Sequence, residues 1–146
     1  MHLKFRLRKQ VDYLTLTLMR NKVLIVDDET LLVNMYKAAL LAGGYDVYSA
    51  QSGDEGLAKI KSLKPDLVLL DIMMPNMTGL EILDSMRADA TLSGIPVVML
   101  TNLTWTPDPK VVLDKGALAI WLKATHKPQD LLSKVNSFFA SRKEGN

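Results

Sequence analysis

The sequence predicts a doubly wound α/β domain, in which a five-stranded parallel sheet is covered by helices on both faces. From residue 22 onward, short apolar runs alternate with segments that have helical periodicity. Turn and capping residues separate these segments from one another. Because such alternation implies right-handed crossovers between parallel strands, the helices must cover both sides of one sheet.

The predicted strands are short apolar runs bounded by turn residues. The third is the clearest, because Leu67–Leu70 is the most apolar short run, and it lies between Lys64-Pro65 and a loop rich in Pro, Asn and Gly. Its composition is typical of a buried strand that runs into a loop. The five strands are expected near residues 22–27, 46–50, 66–71, 96–101 and 118–122.

The predicted helices are bounded by residues that favour helix ends. Gly43-Gly44 is a natural terminus for the first helix. Ser52 and Thr78 each stand three residues before a glutamate, which is the capping-box pattern, and Pro128 suits a first helical position. The helices are expected at 29–42, 53–63 and 79–88, from Pro107 or Pro109 to Gly116, and from 128 to about 142.

Composition narrows the class of protein. A chain of 146 residues fits one domain, and its 48% hydrophobic and 23% charged residues are typical of a soluble globular protein. No apolar run approaches the roughly 20 residues that a membrane helix requires. The absence of cysteine excludes disulfides, thiolate metal sites and thiol nucleophiles. We expect a cytoplasmic protein without a transmembrane segment.

The first 20 residues differ from the rest in charge. They carry five basic residues against one acid, a net charge of +4 in a chain whose total is +2. The basic pI therefore comes from this segment and does not indicate that the folded domain binds nucleic acid. The segment fits a secretory signal poorly. We predict an amino-terminal extension outside the core, with a membrane-surface or partner-binding arm as the alternative, then one domain over 21–143 and no output domain.

Acidic residues stand where two of the predicted strands end. Asp27 and Asp28 follow the first strand, and Asp71 ends the third. Ligands of open parallel sheets collect at the carboxyl ends of the strands. If the two strands are neighbours, three carboxylates meet at one edge of the sheet.

Thr101 and Lys123 end the fourth and fifth strands. Together with the three acids, they resemble the receiver domain of two-component response regulators over about residues 22–142. The motifs that carry the resemblance are Val26-Asp-Asp-Glu29, then Asp71 with Met73-Met-Pro-Asn-Met-Thr-Gly79, and Thr101 and Lys123 at the expected separations. The resemblance implies a flavodoxin-like fold with strand order 2-1-3-4-5.

The resemblance also implies a metal site. Asp28, Asp71 and the backbone carbonyl of Met73 would bind Mg²⁺, and Asp27 would act through a coordinated water. The chemistry of the residues agrees, because crowded carboxylates repel one another and need a cation to stay ionised. Oxygen ligands without nearby His or Cys favour Mg²⁺, or alternatively Mn²⁺, over zinc.

The remaining roles concern phosphoryl transfer. Asp71 would be the phosphoacceptor, attacking a phosphohistidine or a small phosphodonor to form an acyl phosphate. Thr101 would hydrogen-bond the phosphoryl group, and Lys123 would pair first with Asp71 and then with a phosphoryl oxygen. No separate general base is required.

Each residue alone also has a purely structural explanation. Asp28 could cap the first helix, Thr101 could be an ordinary β-branched strand residue, and Lys123 could be a solvated charge at the sheet edge. Trp105 is either a loop anchor or a partner contact. It is the joint occurrence of the acids, the threonine and the lysine at four strand ends that favours the functional interpretation.

The predicted function is that of a single-domain response regulator rather than an enzyme. Its partners would be a sensor histidine kinase or histidine phosphotransfer protein and an unidentified downstream protein. No direct DNA binding is expected, because no helix-turn-helix follows the domain. Pairing through the fourth and fifth helices is known in the family, and the sequence does not decide it.

Two alternatives remain open. Ile120 stands where the family usually has an aromatic residue, Asn102 where a small one is usual, and Ala124 where proline is common. These departures motivate a phosphorylation-independent binding module. The second alternative, a phosphatase with an aspartate nucleophile, usually needs a second acid two residues after the nucleophile, where this chain has Met73.

Overall fold

The structure, a computed structural model, describes residues 19–102, 107–123 and 127–144. Trp105, Ala124 and nearly all of the predicted amino-terminal extension lie outside these ranges, so the expectations about them stay predictions. Within the described ranges, none of the helices combines the length and the apolar character that a membrane-spanning segment requires.

Five parallel strands form one sheet in the order β2-β1-β3-β4-β5, which confirms the predicted fold class and strand order. In register, Val26 lies beside Leu70, and Thr101 lies beside Leu122. The carboxyl ends of the strands therefore meet at one edge. The strands are β1 Lys22–Val26, β2 Asp46–Ala50, β3 Leu67–Asp71, β4 Val97–Thr101 and β5 Ala119–Leu122.

Five helices connect and follow the strands, each within two residues of its predicted bounds. The fourth ends two residues before Gly116, where it was expected to stop, and the fifth extends two residues beyond Arg142. Gly44, just after the first helix, has a φ of 94°, a conformation that glycine adopts without strain. The helices are α1 Thr30–Ala42, α2 Gly53–Leu63, α3 Gly79–Ala88, α4 Pro109–Asp114 and α5 Pro128–Glu144.

One of the two predicted capping boxes is complete. The Thr78 hydroxyl accepts a hydrogen bond from the Glu81 amide at 3.3 Å, and the Glu81 carboxylate accepts one from the Thr78 amide at 3.2 Å. The Ser52 hydroxyl likewise accepts from the Glu55 amide at 3.2 Å. The Glu55 carboxylate, however, accepts from the amide of Gln51, so the second half of the predicted box at Ser52 is wrong.

The core consists of two layers, one on each face of the sheet. Along β1, Val23 and Ile25 pack with α1 and α5, whereas Leu24 and Val26 pack with α2 and α3. All four side chains have no solvent exposure. Since both faces of the central strands are buried, the predicted helical cover on both sides is confirmed. The sheet is a rigid support for the residues at its carboxyl edge.

Candidate functional site at the carboxyl edge of the sheet

Three carboxylates meet where β1 and β3 end. Asp27 follows β1 and is fully buried, Asp71 is the last residue of β3 and is 3% exposed, and Asp28 is exposed. One carboxylate oxygen from each residue lies within 4.8 Å of the other two. The parallel pairing of β1 with β3 produces this convergence, because it brings both strand ends to the same level. The structure thus brings together the three acids that the sequence singled out.

Lys123 projects its ammonium group into this acidic cluster. It follows β5 and is 6% exposed, so it is not a solvated edge charge. Its Nζ lies 2.7 Å from Oδ2 of Asp27, 3.1 Å from Oδ1 of Asp71 and 3.2 Å from Oε1 of Glu29. A single buried cation therefore contacts three anions.

The carboxylate of Asp27 has two different environments. Its Oδ1 accepts a hydrogen bond from the Glu29 amide at 2.9 Å, which fixes the turn between β1 and α1. Its Oδ2 contacts the Lys123 ammonium group at 2.7 Å, but as an ion pair without hydrogen-bond geometry. Among the described residues, no other group hydrogen-bonds this buried oxygen. A buried carboxylate oxygen that accepts no hydrogen bond is suited to bind a cation.

Asp28 does not cap α1. The N-cap residue is Glu29, and no side chain in the described structure caps this helix end by a hydrogen bond. The structural explanation of Asp28 as a helix cap is therefore wrong. Its exposed carboxylate remains available beside those of Asp27 and Asp71.

Burial shifts the acid–base equilibria of the site. Burial, reinforced by repulsion from Asp27, raises the pKa of Asp71 to about 7, although Lys123 opposes the shift. Burial likewise raises the pKa of Asp27, against the opposing effect of Lys123. Burial alone would lower the pKa of Lys123, but the carboxylates of Asp27 and Asp71 raise it above the ordinary lysine value. The lysine is therefore charged at neutral pH, while the two buried acids compete for ionisation.

The donor set fits a small divalent cation. The three carboxylates of Asp27, Asp28 and Asp71 offer oxygen ligands, which Mg²⁺ and Mn²⁺ prefer. Among the described residues, the Oδ2 atom of Asp27 accepts no hydrogen bond and is paired with the Lys123 ammonium group, whose charge a metal cation would supplement. Met73 donates its amide to Oδ1 of Asp71 at 3.3 Å, and its side chain is 52% exposed. The assignment of its carbonyl as a ligand stays a prediction.

Thr101 is the last residue of β4, which lies directly beside β3. It is 1% exposed, and its hydroxyl donates a hydrogen bond to the carbonyl of Asn102 at 3.2 Å. Asp71 pairs in register with Leu100, so Thr101 lies one residue beyond the level of the acid. This position at the neighbouring strand end is consistent with the predicted contact to a phosphoryl group, which stays a prediction.

Gly79 allows α3 to pack closely against the end of β3, a role that the sequence motif did not reveal. Its amide donates to the Ile72 carbonyl at 2.9 Å, so the first turn of α3 lies directly against the end of β3. A Cβ atom at this position would overlap the carbonyl oxygen of Asp71 and approach Cε of Met99 to 3.0 Å. Only glycine permits this close approach.

Sequence reasoning missed two further residues near the lysine. Glu29 was assigned to the start of a helix, yet its carboxylate contacts both Lys123 and Asn102. Tyr36 is 1% exposed, and burial raises the pKa of its phenol, which also senses the charges of Lys123 and Asp27. Both residues follow the first acidic pair by fewer than ten positions, but only the folded structure brings Glu29 into contact with Lys123 and Tyr36 within the range of its charge.

The comparisons with known proteins agree with this geometry. The family described as the response regulator receiver domain matches residues 23–136. The chain belongs to the response regulator receiver domain family. Receiver domains function in two-component signalling, and phosphoaspartate and Mg²⁺ are standard for the family.

Individual relatives and solved structures support the assignment. The DNA-binding response regulator MtrA of Mycolicibacterium paratuberculosis is 39% identical over 119 residues, which is 82% of this chain and 51% of MtrA. The chain thus spans about half the length of such curated relatives. A CheY-like receiver domain protein from Methanospirillum hungatei is 32% identical with a TM-score of 0.76, covering 87% of this chain and 99% of that one. Chemotaxis protein CheY4 of Vibrio cholerae is also 32% identical, with a TM-score of 0.71 and coverages of 81% and 98%.

Proposed function

We propose that Asp71 accepts a phosphoryl group from a histidine kinase or a histidine phosphotransfer protein. The observation that carries the proposal is the buried contact of Asp71 with Lys123, 3.1 Å apart, beside the two acids at the end of β1. Receiver domains are phosphoacceptors rather than classical enzymes. Asp71 is the buried carboxylate that lies between Lys123 and the acids Asp27 and Asp28.

The transfer forms one bond and breaks one. An oxygen of the Asp71 carboxylate attacks the phosphorus atom, and the bond from phosphorus to the donor nitrogen or oxygen breaks, with its electron pair leaving on the donor. The product is an acyl phosphate. Lys123 neutralises charge on the phosphoryl oxygens, and Thr101 donates its hydroxyl to one of them. Asp27, Asp28 and Asp71 would hold a Mg²⁺ ion, which would supply further neutralisation of that charge.

The acid–base state of Asp71 is consistent with this role. Attack requires the ionised carboxylate, and burial opposes its ionisation. Lys123 favours the ionised form through its contact at 3.1 Å. The same ammonium group is thus placed to stabilise the nucleophile before transfer and the phosphoryl oxygens after it.

We further propose that the domain signals as a single-domain cytoplasmic regulator, through phosphorylation-dependent binding of another protein or by passing phosphate onward. Receiver domains as a class interact with histidine kinases or phosphotransfer proteins. The curated relative MtrA is described as DNA-binding, a property of that protein. Phosphorylation adds about −1.5 to −2 charge at Asp71, enough to bias the position of groups around Lys123.

A phosphorylation-independent binding module is the second candidate. Ile120 is half-buried on β5 and lines a groove of about 610 Å³ beside α4. An aliphatic side chain at this position cannot perform the aromatic rotation that commonly reports phosphorylation in the family. The two candidates differ in whether binding of a partner depends on Asp71.

The decisive experiment is intact-protein mass spectrometry after incubation with Mg²⁺ and acetyl phosphate. The wild-type protein should gain one phosphoryl group, and the Asp71→Asn variant should gain none. Asp54→Asn, which removes an exposed acid in the first turn of α2, is the matched control and should be phosphorylated normally. Absence of an adduct on wild type under conditions where Mg²⁺ binds would favour the phosphorylation-independent module.

A further inference from the structure

The carboxylate of Glu29 connects three separate segments of the chain by hydrogen bonds next to the acidic cluster. Its Oε1 atom accepts hydrogen bonds from Nζ of Lys123 at 3.2 Å and from Nδ2 of Asn102 at 3.4 Å. Glu29 precedes α1, Asn102 follows β4 and Lys123 follows β5. The contacts therefore connect the ends of β1, β4 and β5 through one carboxylate.

The Lys123 ammonium group is surrounded by carboxylates in this arrangement. It carries three N–H donors and contacts three carboxylates, those of Asp27, Asp71 and Glu29, at 2.7, 3.1 and 3.2 Å. A phosphoryl oxygen that binds Lys123 therefore competes with these three anions for the ammonium group. The side chains of Asp27 and Asp71 are 0% and 4% exposed, whereas that of Glu29 is 50% exposed. Because Glu29 alone of the three can return to water, its displacement costs the least.

Glu29 also adds a negative charge on the solvent side of Lys123. Small phosphodonors are themselves anions, so this charge opposes their approach through electrostatic repulsion. Asn102 holds the carboxylate in place through its amide, since Oε1 of Glu29 accepts from both Nδ2 of Asn102 and Nζ of Lys123. The competition for Lys123 and the repulsion both act against the transfer.

We propose that Glu29 and Asn102 form an electrostatic gate that slows phosphorylation of Asp71 by anionic small-molecule donors. Glu29 is a positioning residue in this scheme, because it acts through Lys123, and Asn102 acts through Glu29. The gate opens when the Glu29 carboxylate leaves Lys123 and a phosphoryl oxygen replaces it. This inference rests on the proposed phosphoacceptor function of Asp71 and specifies how that site is regulated.

The test compares initial rates of adduct formation by mass spectrometry. With acetyl phosphate at low salt, Glu29→Gln should react about two- to five-fold faster than wild type, the size expected for one partly exposed charge. Asn102→Ala should give a smaller increase. The double variant should be no faster than Glu29→Gln alone, because both substitutions act on the same contact. Asp114→Asn, which removes one exposed negative charge from the end of α4, is the charge-matched control and should react at the wild-type rate.

Two further readouts separate a gate from a merely structural effect. The rate increase should shrink as salt rises, since screening weakens interactions between exposed charges. It should also be larger for the doubly charged acetyl phosphate than for phosphoramidate, which carries about one net negative charge at neutral pH. A structural perturbation would change the rates with both donors alike and would be insensitive to salt.

The outcomes distinguish the two proposals. Adduct on wild type with a rate that is equal or lower in Glu29→Gln overturns the gate and leaves the phosphoacceptor function intact. No adduct on wild type overturns the phosphoacceptor function and the gate with it. Circular dichroism of Glu29→Gln and Asn102→Ala checks that both variants are folded. If Asn102→Ala and Glu29→Gln give independent, multiplicative increases, the gate as described is wrong.

Discussion

The central strands and the edge strand β5 are packed differently. Every residue of the central strands β3 and β4 is buried, and Asp71 and Thr101 are the last residues of these strands. In the edge strand β5, by contrast, all four residues are only half-buried. The adjacent helix α4 is six residues long, and Val112 is its one buried residue. The groove between α4 and β5 is largely apolar, and Leu118 on its rim is 53% exposed.

The two regions meet two different requirements of the domain. The chemistry at Asp71 needs side chains held at fixed distances, which close packing of the central strands provides. The region of α4 and β5 has few buried contacts, so it can change conformation or binding partner at low cost. It also contains Ile120, the residue that motivates the second candidate function. The central strands therefore hold Asp71 and Thr101 at fixed positions, whereas α4 and β5 are more loosely packed.

The largest expected effect is that of Gly79→Ala, which tests how rigid the site is. The added methyl group would overlap the carbonyl oxygen of Asp71, so α3 or the end of β3 must move. We expect a loss of about 3 kcal/mol or more in the free energy of unfolding, measured by urea denaturation. In Gly94→Ala, the methyl group would meet nothing within 4 Å, and the change should stay within about 1 kcal/mol. Similar losses in the two variants would contradict the picture of a closely packed site.

A smaller, pH-dependent effect is expected for Asp71→Asn in the presence of a chelator. Because burial raises the pKa of Asp71 to about 7 from 3.8, its contribution to stability is full below pH 3.8 and is lost as the pH rises through 7. Asparagine does not ionise, so the Asp71→Asn variant does not lose this stability as the pH rises. At pH 8, the variant should therefore be more stable than wild type by about 1 to 3 kcal/mol, which corresponds to about 3 to 8 °C in Tm.

The control for this prediction is Asp54→Asn, whose acid lies on the exposed surface of α2 and should give no pH-dependent gain. Addition of Mg²⁺ should raise the Tm of wild type more than that of Asp71→Asn, because the cation restores the balance of charge among the acids. An Asp71→Asn variant that is less stable than wild type at pH 8 would show that burial and repulsion from Asp27 do not destabilise the ionised Asp71 carboxylate.

The sequence predicted the fold and the composition of the site because both depend on local patterns. Strand ends, helix ends and the position of Asp71 follow from short runs of residues and from the rules for parallel sheets. The contact of Glu29 with Lys123 joins residues 94 positions apart and depends on the paths of two long side chains, which no local pattern specifies. The half-buried state of β5 was equally hidden, because Ala119-Ile-Trp-Leu122 reads as an ordinary buried strand.

The smallest expected effect is the difference between the same substitution in the central strand β1 and in the edge strand β5. Ile25 on β1 has no solvent exposure, whereas Ile120 on β5 is half-buried beside the groove. Removal of one methyl group leaves a cavity at Ile25 that its packed neighbours cannot fill, so Ile25→Val should cost about 1 kcal/mol. At Ile120 the lost contact is shared with solvent, and Ile120→Val should cost about 0.3 kcal/mol on the same scale. Equal losses in urea denaturation would mean that β5 is as tightly packed as the central strands. In that case low packing density could not be the reason why α4 and β5 change conformation or binding partner at low cost.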